Sequence, residues 1–222
     1  MFQVAIDGPS GAGKSTIARA VAKKLDFIYV DTGALYRAVG WAALSRDIDY
    51  HNVEQVMPML SQISVDLVYI NGIQAVLLNG VDVSEEIRLP QSSMAASGVS
   101  AHPCVRDFLL NTQREIAEKN NVIMDGRDIG TVVLPNAHVK IFLTASAEKR
   151  AQRRLIELED KGIATTYHEV LDDMIKRDYN DSHRAVAPLK PADNAIIIDT
   201  SELDLEQSID AVYTTICSIV EK

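Results

Sequence analysis

The sequence predicts an α/β fold, a central parallel sheet with helices on both faces, and three observations carry that reading. The chain opens as strand, turn, helix, strand, helix. A glycine-rich turn separates the first strand from the first helix. Three later short apolar runs supply further core strands. Alternation of this kind favours parallel strands joined by right-handed crossovers. The 222 residues suffice for one domain with a sizeable core.

The elements follow in order. Phe2 to Ile6 is an apolar run short enough for a buried strand, and Asp7 to Gly13 is the turn. Lys14 to Leu25 places Ile17, Val21 and Leu25 at helical spacing with alanines between. Phe27 to Val30 reads as a second strand and Ala34 to Ser45 as a helix, with Thr32 as its N-cap candidate. From Val65 to Ile87 the pattern alternates and holds Asn71-Gly72 and Asn79-Gly80, a strong hairpin signal, so a small antiparallel insert of about three strands is expected. Val99 to Lys119 looks helical. Val122 to Met124 and Val139 to Leu143 fit core strands, Ala147 to Lys161 and Tyr167 to Arg184 charged helices, Ala195 to Ile198 a last strand and Leu205 to Val220 a closing helix.

Composition narrows the classes of function. No apolar run approaches the roughly 20 residues that span a bilayer, and no basic segment followed by an apolar one opens the chain, so a soluble, cytoplasmic protein is expected. Cys104 and Cys217 lie far apart with no metal-ligand spacing. The net charge of −9 argues against general nucleic-acid binding, because phosphate backbones attract basic surfaces. Acidity and the lack of an apolar stripe point to a monomer.

Gly8, Pro9, Ser10, Gly11, Ala12, Gly13, Lys14 and Ser15 match the pattern G-x-x-x-x-G-K-[ST] between a predicted strand and a predicted helix. This is the P-loop. Its glycines let backbone amides close around phosphate oxygens, and the helix N-terminus adds partial positive charge. Lys14 would reach the β- and γ-phosphates of ATP, Ser15 would give a hydroxyl to Mg²⁺, and Thr16 would contact the α-phosphate. Motors, GTPases and transporters share the motif, so other residues must decide the activity.

Arginines grouped elsewhere bear on that choice. A kinase must hold two clusters of negative charge, and the planar guanidinium fork suits phosphate. Arg37 sits in the first turn of the second helix. Asp125-Gly126-Arg127-Asp128 follows a core strand, where open α/β sheets bind ligands, and Asp125 is placed to hold a magnesium-bound water. The bland readings of these are a surface arginine and a loop salt bridge. Arg150, Arg153 and Arg154 share one helical face by spacing, as do Arg177, Asp181 and Arg184. A solvated charge stripe is one account. A lid of two helices, hinged near Gly162 and closing over ATP, is the other.

Six segments together resemble bacterial-type cytidylate kinase, within the nucleoside monophosphate kinases. They are IDGPSGAGKST at 6–16, DTGALYRA at 31–38, VSEEIR at 83–88, DGRDIGTVV at 125–133, KIFLTAS at 140–146 and RDYNDSHRAVAPL at 177–189. The resemblance covers the whole chain and implies a P-loop NTP hydrolase-type core. One domain over 1–222 is implied, with its core at 1–62, 89–146 and 190–222, an acceptor-side β insert at about 63–88 and a lid at about 147–189. It implies transfer of the γ-phosphoryl group of ATP, with Mg²⁺, to CMP and also dCMP. Lys14, Arg127 and Arg177 would be catalytic. Arg37, Arg127 and Arg177 would bind the acceptor phosphate and Asp181 the sugar, while Ser97, Arg106, Asp128 and Arg184 surround the base with Thr32 nearby. The family often has serine where Thr32 stands. At least one lid arginine would meet ATP, with Arg150 and Arg154 the candidates. Another small acceptor such as UMP, or a nucleotide-dependent switch without an acceptor, are the rival readings.

Overall fold

A computed structural model describes residues 1–70, 73–160 and 162–220. The chain forms two compact units, Met1–Tyr29 with Asn120–Lys222, and Val30–Lys119.

The first unit is built on a five-stranded sheet. Its strands are β1 (Gln3–Asp7), β2 (Ile28–Asp31, the strand in which the chain leaves the unit), β6 (Val122–Gly126), β7 (Val139–Thr144) and β8 (Ile196–Asp199). Their order is β2-β6-β1-β7-β8, with β1 parallel to β6 on one side and to β7 on the other, and β8 parallel to β7. Strands covered on both faces read as continuous apolar runs, and every residue of β6 is buried. Helices α1 (Lys14–Leu25) and α8 (Leu205–Val220) supply Ile17, Val21, Val212 and Ile216 to a core with Val4, Ile6, Ile123, Ile141 and Leu143. Helices α6 (Ala147–Asp160) and α7 (Tyr167–His183) form a hairpin with its own small core around Ala151, Val170 and Met174. Thr166 and Glu169 close a capping box at the start of α7.

The second unit holds α2 (Thr32–Leu44), α3 (Val53–Leu60), the antiparallel strands β3 (Val65–Ile70), β4 (Ile73–Leu78) and β5 (Val81–Asp82), then α4 (Pro90–Val99) and α5 (Pro103–Lys119). The three-stranded insert is therefore as expected, in the order β3-β4-β5. Asn79 and Gly80 both take positive φ, 50° and 78°, which suits a tight hairpin turn from β4 to β5. The expected Asn71-Gly72 turn lies outside the described residues. Helices α2 and α4 cross so closely at Gly40 that an added Cβ would stand 2.8 Å from the amide nitrogen of Ala96.

Three local expectations change. Helix α2 begins at Thr32, and its cap is Asp31, whose carboxylate accepts from the amide of Ala34 at 3.0 Å. Thr32 is thus the first helical residue, not the N-cap. The single helix expected over 99–119 starts only at Pro103, and α4 precedes it, because proline lacks the N–H that a continuing helix needs. Helix α3, capped by Asn52 at 3.0 Å from the amide of Glu54, had no counterpart in the sequence reading.

Candidate active site

The phosphate loop leaves the carboxyl end of β1, the central strand of the five, and open α/β sheets bind ligands at carboxyl strand ends. Gly8 passes so close to β7 that a side chain there would run into the carbonyl oxygen of Leu143. Gly13, at φ 85°, turns the chain directly into α1. Lys14 is buried, and its ammonium donates to the carbonyl of Pro9 at 2.6 Å. Burial, and then the nearby Arg127 guanidinium, pull its pKa well below the usual lysine range. Asp125, Asp7 and Asp181 act on it in the opposite sense, so each of these charges lies within reach of the Lys14 ammonium.

The Ser15 hydroxyl donates to one carboxylate oxygen of Asp125 at 2.8 Å. The other oxygen of Asp125 accepts from the Tyr29 hydroxyl at 2.9 Å. Among the described residues no group of three or more His, Cys, Asp or Glu could hold a metal ion. Magnesium fits what is present instead, since it is commonly held by one or two side chains together with substrate phosphates and water. Ser15 and Asp125 would be those side chains. Thr16, next in the chain, is exposed.

Beyond β6, Arg127 donates from Nε to Asp181 on α7 at 2.9 Å, and Asp128 lies 3.7 Å from the guanidinium of Arg184, just past the end of α7. A π-helical turn at Ile129–Val133 follows. Asp7, at the end of β1, organises that turn: its two oxygens accept from the amides of Ile129 and Gly130, each at 2.7 Å. Burial pushes the Asp7 carboxyl up to about 6, against the pull of those two amides. Sequence reading did not single out Asp7, although a carboxylate closing an apolar strand was a visible signal. Tyr29 was also missed, because its partner is reached only through the sheet.

Shared spacing does not make the α6 arginines alike. Arg150 is 4% exposed and donates to the carbonyls of Ala145 and Ser10, both at 2.9 Å, and to Asp178 at 2.5 Å. Arg153 turns to the carbonyls of Thr200 and Leu203 at 2.6 and 3.4 Å. Arg154 pairs with Glu157 at 2.9 Å on the surface. Arg177 is half-buried on α7.

The second unit carries the remaining predicted residues. Arg37 donates to Asp31 at 2.7 Å, so one carboxylate both caps α2 and pairs with the arginine a turn and a half further on. Arg106 is buried on α5, donates to the carbonyl of Ser100 at 3.1 Å and lies over the ring of Tyr36 at 5.6 Å. Thr32 is buried and Ser97 half-buried. Cys104 and Cys217 are free thiols.

A phosphate loop with its lysine and serine, an acidic residue at the next strand end, and arginines held by carboxylates suit phosphoryl transfer between two anions. Comparison with known proteins bears on this. A sequence model of cytidylate kinase matches residues 4–218. The chain belongs to the cytidylate kinase family. A cytidylate kinase of Caldicellulosiruptor saccharolyticus is 47% identical over 219 residues, covering 99% of this chain and 97% of that protein. One from Bacillus cereus is 44% identical over 221 residues, covering 100% and 98%. Among solved structures, the shikimate kinase of Bacteroides thetaiotaomicron aligns with a TM-score of 0.50 at 14% identity over 100% of this chain and 99% of that one. A protein of Eubacterium ventriosum described as uncharacterized aligns at 0.54 and 13%, covering both chains fully. Those two likenesses concern the fold alone. The motifs DGRDIGTVV and RDYNDSHRAVAPL therefore mark a cytidylate kinase family member, with a P-loop core, a phosphate group as acceptor and a small β insert.

Proposed function

We propose that the protein transfers the γ-phosphoryl group of ATP to CMP, and to dCMP, giving ADP and the diphosphate, in the cytoplasm as a monomer serving pyrimidine nucleotide metabolism. The observation that carries this reading is the similarity to cytidylate kinases along the full chain at 44–47% identity. The arrangement of Lys14, Asp125, Arg127 and Asp181 supports it, since the charges of the other three lie within reach of the Lys14 ammonium.

The donor triphosphate occupies Gly8 to Thr16. Ser15 directly and Asp125 through water would hold Mg²⁺, which would supply charge that neutralises the phosphate oxygens. Lys14 leaves the Pro9 carbonyl for a phosphate oxygen. Arg37, Arg127 and Arg177 take the acceptor phosphate, and Asp181 exchanges Arg127 for the sugar hydroxyls. Thr32, Ser97, Arg106, Asp128 and Arg184 read the base. Asp128 accepts from the cytosine N4 amine, where uracil offers a carbonyl, and a buried mismatch of that kind costs about 1–3 kcal/mol. Residues of about 147–189 act as the lid. Within it Arg154 meets the donor, while Arg150 serves the donor through the Ser10 carbonyl. Phosphate is already anionic, so transfer is in line and direct, without a general base or phosphoenzyme, and rests on alignment and charge stabilisation.

A coupled assay of ADP release tests this with CMP, dCMP, UMP and AMP in turn. Turnover is expected to be highest with CMP and dCMP. ADP release that does not depend on CMP, or that is faster with AMP, would overturn the reading.

A further inference from the structure

Helix α7 touches the phosphate loop. Met174, Asp178 and Asp181 are spaced i, i+4, i+7 and share one face. Met174 packs onto the loop at Gly11, where an added Cβ would meet its methyl carbon at 2.9 Å and the Cβ of Arg150 at 3.3 Å. One turn on, Asp178 receives the Arg150 guanidinium, which also donates to the Ser10 carbonyl at the crown of the loop. The second oxygen of Asp178 is buried with no hydrogen-bond partner among the described residues, so this carboxylate is directed to Arg150. One turn further, Asp181 receives Arg127 from the end of β6. The same rigid helix is thus bonded at one level to the donor loop and at the next to residues assigned above to the acceptor. The two levels are about 4.5 Å apart along its axis.

We propose that Asp178 is a positioning residue which, by holding Arg150 against the Ser10 carbonyl, makes the seating of the phosphate loop depend on occupation of Arg127, Arg177 and Asp181 by the acceptor. No role falls to Asp178 in the phosphoryl transfer derived above, and the inference rests on that reading of the acceptor. Acceptor binding draws Arg127 and Asp181 onto the nucleotide and fixes the register of α7. Asp178 carries that register to Arg150, and Arg150 sets the Ser10 carbonyl and the amides that follow. Donor and acceptor therefore bind with positive coupling, and by linkage the effect is the same whichever binds first.

Calorimetry on the full chain tests this. The Kd for CMP is measured with and without a saturating non-hydrolysable ATP analogue and Mg²⁺, for three proteins: the unaltered chain, Asp178→Asn, and the double variant Arg150→Met with Asp178→Leu. The unaltered chain is expected to bind CMP about 5- to 100-fold more tightly with the analogue present. Both variants are expected to lose that factor, to about twofold or less, and Asp178→Asn is expected to change CMP affinity without analogue little. The double variant leaves no buried charge unpaired, so it decides if Asp178→Asn does not fold. Hydrogen exchange on the unaltered chain needs no variant: CMP alone is expected to slow exchange at the amides of Ser10 to Gly13. Coupling kept in a folded variant, no coupling in the unaltered chain, or loop amides indifferent to CMP would each overturn the proposal. Failure of the unaltered chain to bind CMP at all would instead overturn the proposed function, which separates the two.

Discussion

Replacing Asp7 by Asn separates what this carboxylate costs from what it does. The side chain is 4% exposed and its pKa is raised from 3.8 to about 6, mainly by burial. Folding therefore favours the neutral form. The stability this contributes is complete below about 3.8 and is lost as pH rises through about 6. Between pH 5 and pH 8 the loss amounts to about 1–2 kcal/mol. Asn has nearly the same shape and does not titrate. Urea unfolding of both proteins across that range is expected to show the stability of Asp7→Asn rising relative to the unaltered chain by that amount. Activity is expected to move the other way. Ionised Asp7 accepts from both Ile129 and Gly130, whereas Asn offers one oxygen and turns an NH₂ group toward the second amide. One buried donor is left unpaired, at about 1–3 kcal/mol, on the turn that follows Arg127 and Asp128. We expect kcat/KM for CMP to fall about 10- to 100-fold at pH 8. A stability difference that stays flat from pH 5 to 8 would refute the raised pKa. A pH-dependent difference with kcat/KM unchanged would refute the positioning role.

Lys14→Ala is expected to lower kcat by about 10²- to 10³-fold while cooperative thermal unfolding persists, and near-normal kcat would exclude its role on the phosphates. Asp128→Ala is expected to reduce the ratio of kcat/KM for CMP over UMP by about 10- to 100-fold, more than it reduces turnover; competition kinetics with both nucleotides checks this. Gly40→Ala gains helix propensity, yet its methyl would stand 2.9 Å from the Ala95 Cβ as well as close to the Ala96 amide. Overpacking is expected to dominate and cost about 1–2 kcal/mol in urea unfolding, with the catalytic constants little changed.

What the sequence disclosed depended on whether a signal was local. Helix α1 was read with its observed bounds, because Ile17, Val21 and Leu25 repeat at helical spacing behind Gly13. The phosphate-loop motif was legible for the same reason, since it sits where β1 ends. Helix α4 was not. Its residues PQSSMAASGV are small because α2 passes at Gly40 and Ala95, and small residues show no apolar period. Pro58 within α3 argued against a helix that Asn52 nonetheless caps. The role of Asp7 depends on amides 122 and 123 positions away. The α6 arginines shared a spacing that held no information about Ser10, Asp178 or Thr200 as partners.

Two of the arginines proposed to take the acceptor phosphate already have a carboxylate beside them: Arg37 has Asp31 and Arg127 has Asp181. An arriving anion therefore trades places with an internal one and does not drop into bare positive potential. A trade is favourable only when the newcomer brings further contacts, from a ribose and a base, to compensate the displaced aspartates. Inorganic phosphate and polyphosphate bring charge without those contacts. In a crowded, anion-rich solution the aspartates thus act as doorkeepers, and an acidic chain keeps its guanidinium groups in reserve for one kind of guest.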